Sequence, residues 1–277
     1  MISFVIITRN SERYIERCLK SIIRKCEDED IEFEILLMDN GSTDKTIDIL
    51  EKFDDRIKLT RFSENKGTTY PRNYGLKRSE GDIICIQDSD AYLQEGSLKG
   101  IIETLKNSPE IGLLAPRLVY PDGNTQPSVK KFPTFIHKLL KLKKIFLKKP
   151  PEISDFYKSL PHKKPVTVDS AISACWFFRW EILNTVGYLD EKIFYSPEDV
   201  DFCLRIWKSG KSILYYPEFT VIHDTQQISH RKPLSRLSIS HFKGLLYYFR
   251  KHGYLFKAPQ FGEWENKNSQ NSENYEK

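Results

Sequence analysis

Short apolar runs alternate with amphipathic segments from Ile2 to Asp88, and this alternation is what most restricts how the chain can fold. The intervening segments carry apolar residues at helical spacing, whereas the runs are largely apolar and β-branched: ISFVIIT, FEILLMD, IKLTRF and DIICIQD. Strands that are joined through helices pair in parallel, and both faces of such a sheet are covered. The pattern therefore predicts an α/β domain with a Rossmann-like, mostly parallel central sheet flanked by helices.

Three of these predicted strands end in polar motifs, namely TRN, MDNGSTD and QDSD. The carboxyl ends of parallel strands meet at one edge of the sheet, and open α/β sheets bind their ligands there. We therefore expect the three motifs to contribute to a single site.

Asp88 and Asp90 lie two residues apart at the exit of a buried strand. On an extended backbone both side chains point to the same face, where the two carboxylates repel each other unless a cation joins them. A hard ion such as Mg²⁺ or Mn²⁺, shared with substrate phosphates, suits this arrangement. Aspartate is also favoured in turns and at helix N-termini, so the pair alone does not separate a metal site from a cap.

Further acidic residues and a histidine follow in the second half of the chain. Glu198, Asp199 and Asp201 begin a predicted helix in SPEDVDFCLRIWKSG, and His223 ends a predicted strand in VIHD. Asp199 also fits a variant capping box with Ser196. A single histidine is commonly a core or surface residue. Each of these residues thus has a structural interpretation beside a functional one.

Taken in order, DNGSTD, DSD, PEDVDFCLR and VIH resemble the motifs of the inverting family 2 glycosyltransferases, which have a GT-A fold. The resemblance covers residues 1–225. The stretch from Ser173 to Asp224 looks most like rhamnosyltransferase-type members of polysaccharide biosynthesis, and SRLSISHFKGLLYYFRKHG resembles their C-terminal helix. The resemblance implies transfer of a sugar from a UDP- or dTDP-sugar to a saccharide or lipid-linked saccharide acceptor in cell-surface polysaccharide biosynthesis.

The resemblance implies a donor site at the ends of the first strands. Thr8 and Arg9 would line the nucleotide pocket, and Asp39 would accept a hydrogen bond from the ring N–H of uracil or thymine. Arg72 matches the family arginine that approaches the base and the phosphate.

The resemblance also implies a metal site and a catalytic base. Asp90, supported by Asp88, would hold Mn²⁺ or Mg²⁺ on the donor diphosphate, with His223 as a further ligand. Asp199 would take the proton of the acceptor hydroxyl in a single, inverting displacement. For Trp176 we leave two roles open, packing against a sugar ring and packing in the core.

The same reading divides the chain into five regions. Residues 1–123 form the nucleotide-sugar-binding half, and residues 166–225 form the acceptor-side half. Residues 124–165 are predicted to be a basic insertion or flap between the halves. Basic-aromatic helices are predicted for 226–260, and a disordered tail for 261–277.

Charge and cysteine content narrow the possible partners. A net charge of +5 without a recognition motif argues against a nucleic-acid partner. The lysine-rich segment 130–149 suits either contact with an anionic membrane surface or a solvated flap over the donor site. The five cysteines form no CxxC pair, and neither a signal peptide nor a membrane span is visible in the sequence. We therefore expect a cytoplasmic protein that can lie peripherally at the inner face of the plasma membrane.

Two other classes of protein compete with this interpretation. Haloacid dehalogenase-like phosphotransferases also use a DxD motif after a strand, but on their first strand, and they require Thr or Val where this chain has Tyr92. A non-catalytic nucleotide-binding module would tolerate the loss of Asp199, and the complete acidic set argues against it.

Overall fold

The computed structural model describes residues 1–136, 138, 155–157, 164–225, 236–254 and 256–263. Its strands are β1 (Ile2–Thr8), β2 (Phe33–Asn40), β3 (Lys58–Phe62), β4 (Ile83–Asp88), β5 (Ala91–Leu93), β6 (Ile111–Val119), β7 (Val129–Lys130), β8 (Val166–Thr167), β9 (Ser170–Ala171), β10 (Cys175–Arg179) and β11 (Ser212–His223). Its helices are α1 (Ile15–Asp28), α2 (Thr46–Leu50), α3 (Thr69–Leu76), α4 (Leu98–Asn107), α5 (Ile182–Val186), α6 (Glu198–Lys208) and α7 (Arg236–His252).

The strands of both halves form one mixed sheet in the order β3-β2-β1-β4-β10-β6-β11-β5, with β8 paired to β11. The pairs from β3 to β4 are parallel, as is the β6–β11 pair. β10 lies antiparallel between β4 and β6. β11 is also antiparallel to β5 and to β8. The predicted α/β sheet is thus confirmed, but it is mixed rather than mostly parallel, because β10 lies in its middle and β5 and β8 pair with β11.

Both faces of the sheet are covered, because successive side chains of the apolar strands enter different cores. Phe4 and Ile6 of β1 belong to one core cluster with residues of α1 and α4, whereas Val5 belongs to a second cluster with Leu76 of α3 and residues of α6 and α7. This double burial explains why the strands are apolar at successive positions.

One predicted boundary is wrong. The runs SILYY and FTVIHD, separated by Pro217 and Glu218, predict two separate strands, but β11 runs through both, with an irregular register against β6 between Tyr216 and Thr220. Pro217 lies within the interruption, and proline has no N–H for the ladder. The strand therefore bulges there and then continues.

The predicted domain boundaries stay a prediction. Most of the lysine-rich segment and the flap lies at 139–154 and 158–163, outside the described residues, as do 226–235 and 264–277. The predicted C-terminal basic-aromatic helix is present as α7.

α7 is held against α6 by a buried cluster of charges around Asp201. The Asp201 carboxylate is fully buried and accepts contacts from Lys251 Nζ at 2.7 Å, His252 Nε2 at 2.8 Å and Arg205 Nε at 2.9 Å. Burial acts to raise the pKa of Asp201, but the hydrogen bond from His252 and the positive charges outweigh it and lower the pKa to about 2. These contacts fix the helix that carries Glu198 and Asp199.

We predict that Asp201→Asn destabilises the protein in a pH-dependent way. The native pKa lies below the usual 3.8, so the carboxylate stabilises the fold fully above pH 4 and loses this effect as the pH falls towards 2. The pKa shift alone corresponds to about 2 kcal/mol at neutral pH. Urea unfolding at pH 7 and at pH 2.5 measures the difference from wild type, which should shrink at the lower pH. Asp54→Asn, at an exposed position, is the control, and a difference that does not change with pH would contradict the assignment.

Candidate active site

The carboxyl ends of β1, β2 and β4 lie side by side, as the sequence predicts. Thr8 is the register partner of Asp39, and Ile7 is the partner of Asp88. The polar motifs that follow these three strands therefore start from the same edge of the sheet.

The pairing of β5 with β11 brings His223 close to the DSD turn. β4 ends at Asp88, and β5 begins at Ala91 but pairs with β11, so that Ala91 lies opposite His223. The N–H of Asp224 donates to the Asp90 carbonyl at 2.9 Å. As a result, His223 Nε2 lies 3.5 Å from Asp90 Oδ1.

Asp88, Asp90 and His223 form a cluster of potential metal ligands. One donor atom from each residue lies within 4.8 Å of the others. The Nδ1–H of His223 donates to Gln126 Oε1 at 3.0 Å, which leaves Nε2 free to face Asp90. Two carboxylates and an imidazole suit a divalent cation such as Mn²⁺. Ser97, rather than either aspartate, caps α4, so the capping interpretation of the DSD pair does not hold for that helix.

The charges of this cluster are incompletely balanced. Burial raises the pKa of Asp88, and the opposing charge of Arg72 does not fully offset it. Burial acts to lower the pKa of His223, but the hydrogen bond and charge of Asp90 outweigh it, so the pKa is raised. A cation bound between the carboxylates would relieve the first of these effects.

Arg72 of α3 links the DSD turn to the start of α6. Its guanidinium is buried, with Nη2 at 2.6 Å from Asp88 Oδ1 and Nη1 at 3.1 Å from Glu198 Oε1. Ser173 completes the network, because its Oγ lies 2.8 Å from Arg72 Nη1 and 3.0 Å from Glu198 Oε1. The contacts of Arg72 described here are with protein groups, and its predicted contact with the nucleotide stays a prediction.

Glu198 is buried beside this arginine. Burial, and then the negative charge of Asp199, raise the pKa of Glu198 to about 7, although Arg72 and the hydrogen bond from Ser173 act against the shift. The side chain therefore gives up its proton less readily than an exposed glutamic acid does.

Asp199 is buried and ion-paired with a lysine that the motif analysis does not identify. Its Oδ2 lies 2.5 Å from Lys130 Nζ, and its Oδ1 accepts the N–H of Val200 at 2.8 Å. Pro197 occupies the N-cap position of α6 without a side-chain cap, so the capping-box interpretation of Asp199 is wrong.

Two polar atoms at the ends of β1 and β2 are buried without a hydrogen-bond partner among the described residues. They are Thr8 Oγ1 and Asp39 Oδ1. Asp39 Oδ2 accepts the Ser42 N–H at 3.2 Å, so one oxygen of the carboxylate remains unpaired. Buried polar atoms are normally satisfied, and an unpaired acceptor fits a ligand donor. The Arg9 side chain is exposed next to them.

Trp176 belongs to the core. Its side chain is fully buried and stacks on Phe202 with 5.9 Å between ring centroids. Packing of Trp176 against a sugar is therefore wrong. Sequence reasoning also misses the contacts of Gln126 and Lys130, because neither residue lies in a motif.

The comparison with protein families decides the assignment. The model of glycosyl transferase family 2 matches residues 3–187, more than half of the chain. The chain belongs to glycosyl transferase family 2. This confirms the family predicted from the order of the motifs, and it replaces the haloacid dehalogenase-like and non-catalytic alternatives. The DSD motif also follows β4 rather than β1.

Similar proteins include two bacterial glycosyltransferases. The chain is 26% identical over 272 residues to the N-acetylglucosaminyl-diphospho-decaprenol L-rhamnosyltransferase of Mycobacterium tuberculosis, covering 92% of this chain and 86% of the relative. It is 36% identical over 100 residues to the poly(ribitol-phosphate) beta-N-acetylglucosaminyltransferase TarS of Staphylococcus aureus, covering 35% of this chain and 17% of TarS. The predicted likeness to a rhamnosyltransferase is confirmed.

Solved structures share the fold. S. aureus TarS in complex with UDP has a TM-score of 0.55 at 22% identity, over 80% of this chain and 60% of that chain. GalNAc-T7 with UDP, GalNAc and Mn²⁺ has a TM-score of 0.65 at 14% identity, over 90% of this chain and 47% of that chain. The predicted GT-A fold of this family 2 glycosyltransferase is confirmed.

Proposed function

We propose that this glycosyltransferase moves a sugar, with inversion, from a UDP- or dTDP-sugar to a saccharide or lipid-linked saccharide acceptor in cell-surface polysaccharide synthesis. The observation that carries the proposal is the connection, through buried Arg72, between the Asp88–Asp90–His223 cluster and the acidic start of α6. A cation site and a carboxylate base are the two elements that such a transfer requires.

The donor nucleotide is assigned to the ends of β1 and β2. The unpaired Asp39 Oδ1 supports acceptance of a hydrogen bond from the ring N–H of uracil or thymine, and Thr8 Oγ1 offers a second polar contact. Arg9 lies exposed at the mouth of this region. The TarS structure contains UDP, and the GalNAc-T7 structure contains UDP, GalNAc and Mn²⁺.

Asp88, Asp90 and His223 would hold Mn²⁺ or Mg²⁺. The mixed donor set favours Mn²⁺, since imidazole binds it more readily than Mg²⁺. A cation held by these residues would supply positive charge beside the departing nucleoside diphosphate. Gln126 keeps the His223 ring oriented, and Arg72 donates a hydrogen bond to Asp88 that offsets part of its charge.

Asp199 is assigned as the general base. Its carboxylate accepts the proton of the acceptor hydroxyl while that oxygen bonds to the anomeric carbon and the bond to the nucleoside diphosphate breaks. A single displacement of this kind inverts the anomeric configuration. No residue is needed as a nucleophile.

Contact with a membrane surface is part of the proposal, since the mycobacterial relative is named for a decaprenol-linked acceptor. α7 exposes Ile239, Phe242 and Leu246 on one face, together with the cations Lys243 and Arg250. Among the described residues, no helix is long and apolar enough to cross a membrane.

We predict that Asp90→Ala reduces Mn²⁺-dependent binding of UDP or dTDP by at least about tenfold, because the diphosphate loses its ion. Isothermal titration calorimetry with and without Mn²⁺ measures this, and Asp54→Ala at an exposed position is the control. Unchanged affinity in Mn²⁺ would remove Asp90 from the metal site. A thermal-shift panel of UDP- and dTDP-sugars with Mg²⁺ or Mn²⁺, followed by assays of slow hydrolysis, identifies the donor.

Asp199→Asn should leave donor binding intact but abolish turnover, because an amide cannot accept the hydroxyl proton. We expect a loss of at least about a hundredfold in the rate, with the donor Kd within about twofold of wild type. The release of UDP or dTDP from the donor selected by the panel reports the rate. Normal turnover by the variant would exclude Asp199 as the base.

Replacing both Phe242 and Leu246 with serine should weaken binding to anionic vesicles, because the exposed apolar side chains of α7 are lost. Cosedimentation with phosphatidylglycerol–phosphatidylcholine vesicles measures the bound fraction, with pure phosphatidylcholine for comparison. Tyr70→Ser, an exposed aromatic change on α3, is the control. Equal binding by wild type and the double variant would argue against contact through α7.

A further inference from the structure

Lys130 lies outside the sequence motifs described above, yet among the described residues its side chain makes a close ion pair with the assigned base. Its Nζ lies 2.5 Å from Asp199 Oδ2, and both side chains are largely buried. We propose that Lys130 is a positioning residue for the transfer reaction, which holds the Asp199 carboxylate ionised and in one orientation for the acceptor hydroxyl. This inference rests on the assignment of Asp199 as the base.

The two oxygens of Asp199 are held from different sides. Oδ1 accepts the backbone N–H of Val200, and Oδ2 accepts from Lys130. A carboxylate oxygen can accept two hydrogen bonds, so each oxygen of Asp199 can still accept one more, from the acceptor hydroxyl. The rotation of the carboxylate is therefore restricted while its capacity to act as a base remains.

Lys130 itself is anchored to the surface on which α6 packs. β7 pairs with β9, and Lys130 lies opposite Ser170, whose Oγ donates to the Lys130 carbonyl at 2.8 Å. Cys203 of α6 lies close to the Ala171 carbonyl of β9. The backbone of Lys130 and the helix that carries Asp199 are thus fixed to the same short strand.

The electrostatic surroundings of Asp199 make the lysine necessary. Glu198 precedes Asp199 on α6, and Tyr195 and Cys203 also interact with Asp199. Burial raises the pKa of Tyr195 to about 12, and it also raises the pKa of Cys203. Neither of these two groups carries a charge at neutral pH. Glu198, by contrast, repels a second carboxylate whenever it is ionised.

The cations nearby are divided between the two acids. Arg72 of α3 binds Glu198, whereas Lys130 of β7 binds Asp199. Burial acts to lower the pKa of Lys130, but the charge and hydrogen bond of Asp199 outweigh it and raise the pKa, so the lysine is charged at neutral pH. Without Lys130, the buried Asp199 carboxylate would lie next to Glu198 and would lose the cation that contacts it.

The test compares Lys130→Met, Lys130→Arg and Asp199→Asn with wild type. The rate of Mn²⁺-dependent hydrolysis or transfer is measured from pH 5 to 9 with the donor selected by the panel, with UDP-GlcNAc as the first probe. For Lys130→Met we expect the acidic limb of the profile to move up by about one pH unit or more, with donor KM unchanged. In Lys130→Arg the acidic limb of the pH–rate profile should lie closer to that of wild type, since arginine restores the positive charge. Lys164→Met, at an exposed position, is the control.

A second measurement does not depend on turnover. The Asp side-chain carbons are labelled with ¹³C, and the Asp199 signal is identified by its absence in Asp199→Asn. Its titration midpoint should be about one unit or more higher in Lys130→Met than in wild type. An unchanged midpoint would overturn the proposal, as would a rate loss that is equal at every pH and accompanies a lower Tm.

The two assignments fail in different ways. Normal turnover by Asp199→Asn would exclude the base and, with it, the role of Lys130. An inactive Asp199→Asn together with a wild-type pH profile in Lys130→Met would overturn only the role of Lys130.

Discussion

The site depends on the two ion pairs that the buried guanidinium of Arg72 forms. The guanidinium contacts Asp88 at the end of β4 and Glu198 at the start of α6, two segments from different halves of the chain. Removing one member of a buried ion pair is strongly destabilising, by about 3–5 kcal/mol, because the remaining charge is left without a partner. Arg72 therefore holds together two groups of carboxylates that would otherwise repel each other.

Much of the fold follows from local patterns in the sequence. The apolar runs and amphipathic segments identify β1 to β4, α1 and α3, because double burial leaves a continuous apolar signal. The order of the acidic motifs also predicts that Asp90, Asp199 and His223 belong to one active site. The meeting of Asp90 with His223 has a simple basis, since β5 pairs with the end of β11.

Other features depend on tertiary contacts that carry no local signal. Lys130 is one of many lysines in a basic segment, and only the pairing of two-residue strands selects it as the partner of Asp199. Trp176 has the residue type expected beside a sugar, but its position on a central strand puts it in the core. The continuity of β11 across Pro217 likewise depends on its neighbour β6 rather than on its own residues.

The strand order also has a consequence for how the protein is made. β4 acquires its second neighbour only when β10 has been synthesised, and β5 must wait for the end of β11. Pairing between distant parts of a chain slows folding and leaves strand edges exposed in the meantime. The nascent N-terminal half therefore emerges with an apolar edge that it cannot close by itself, and the glycosyltransferase completes its sheet only after β11 has been synthesised.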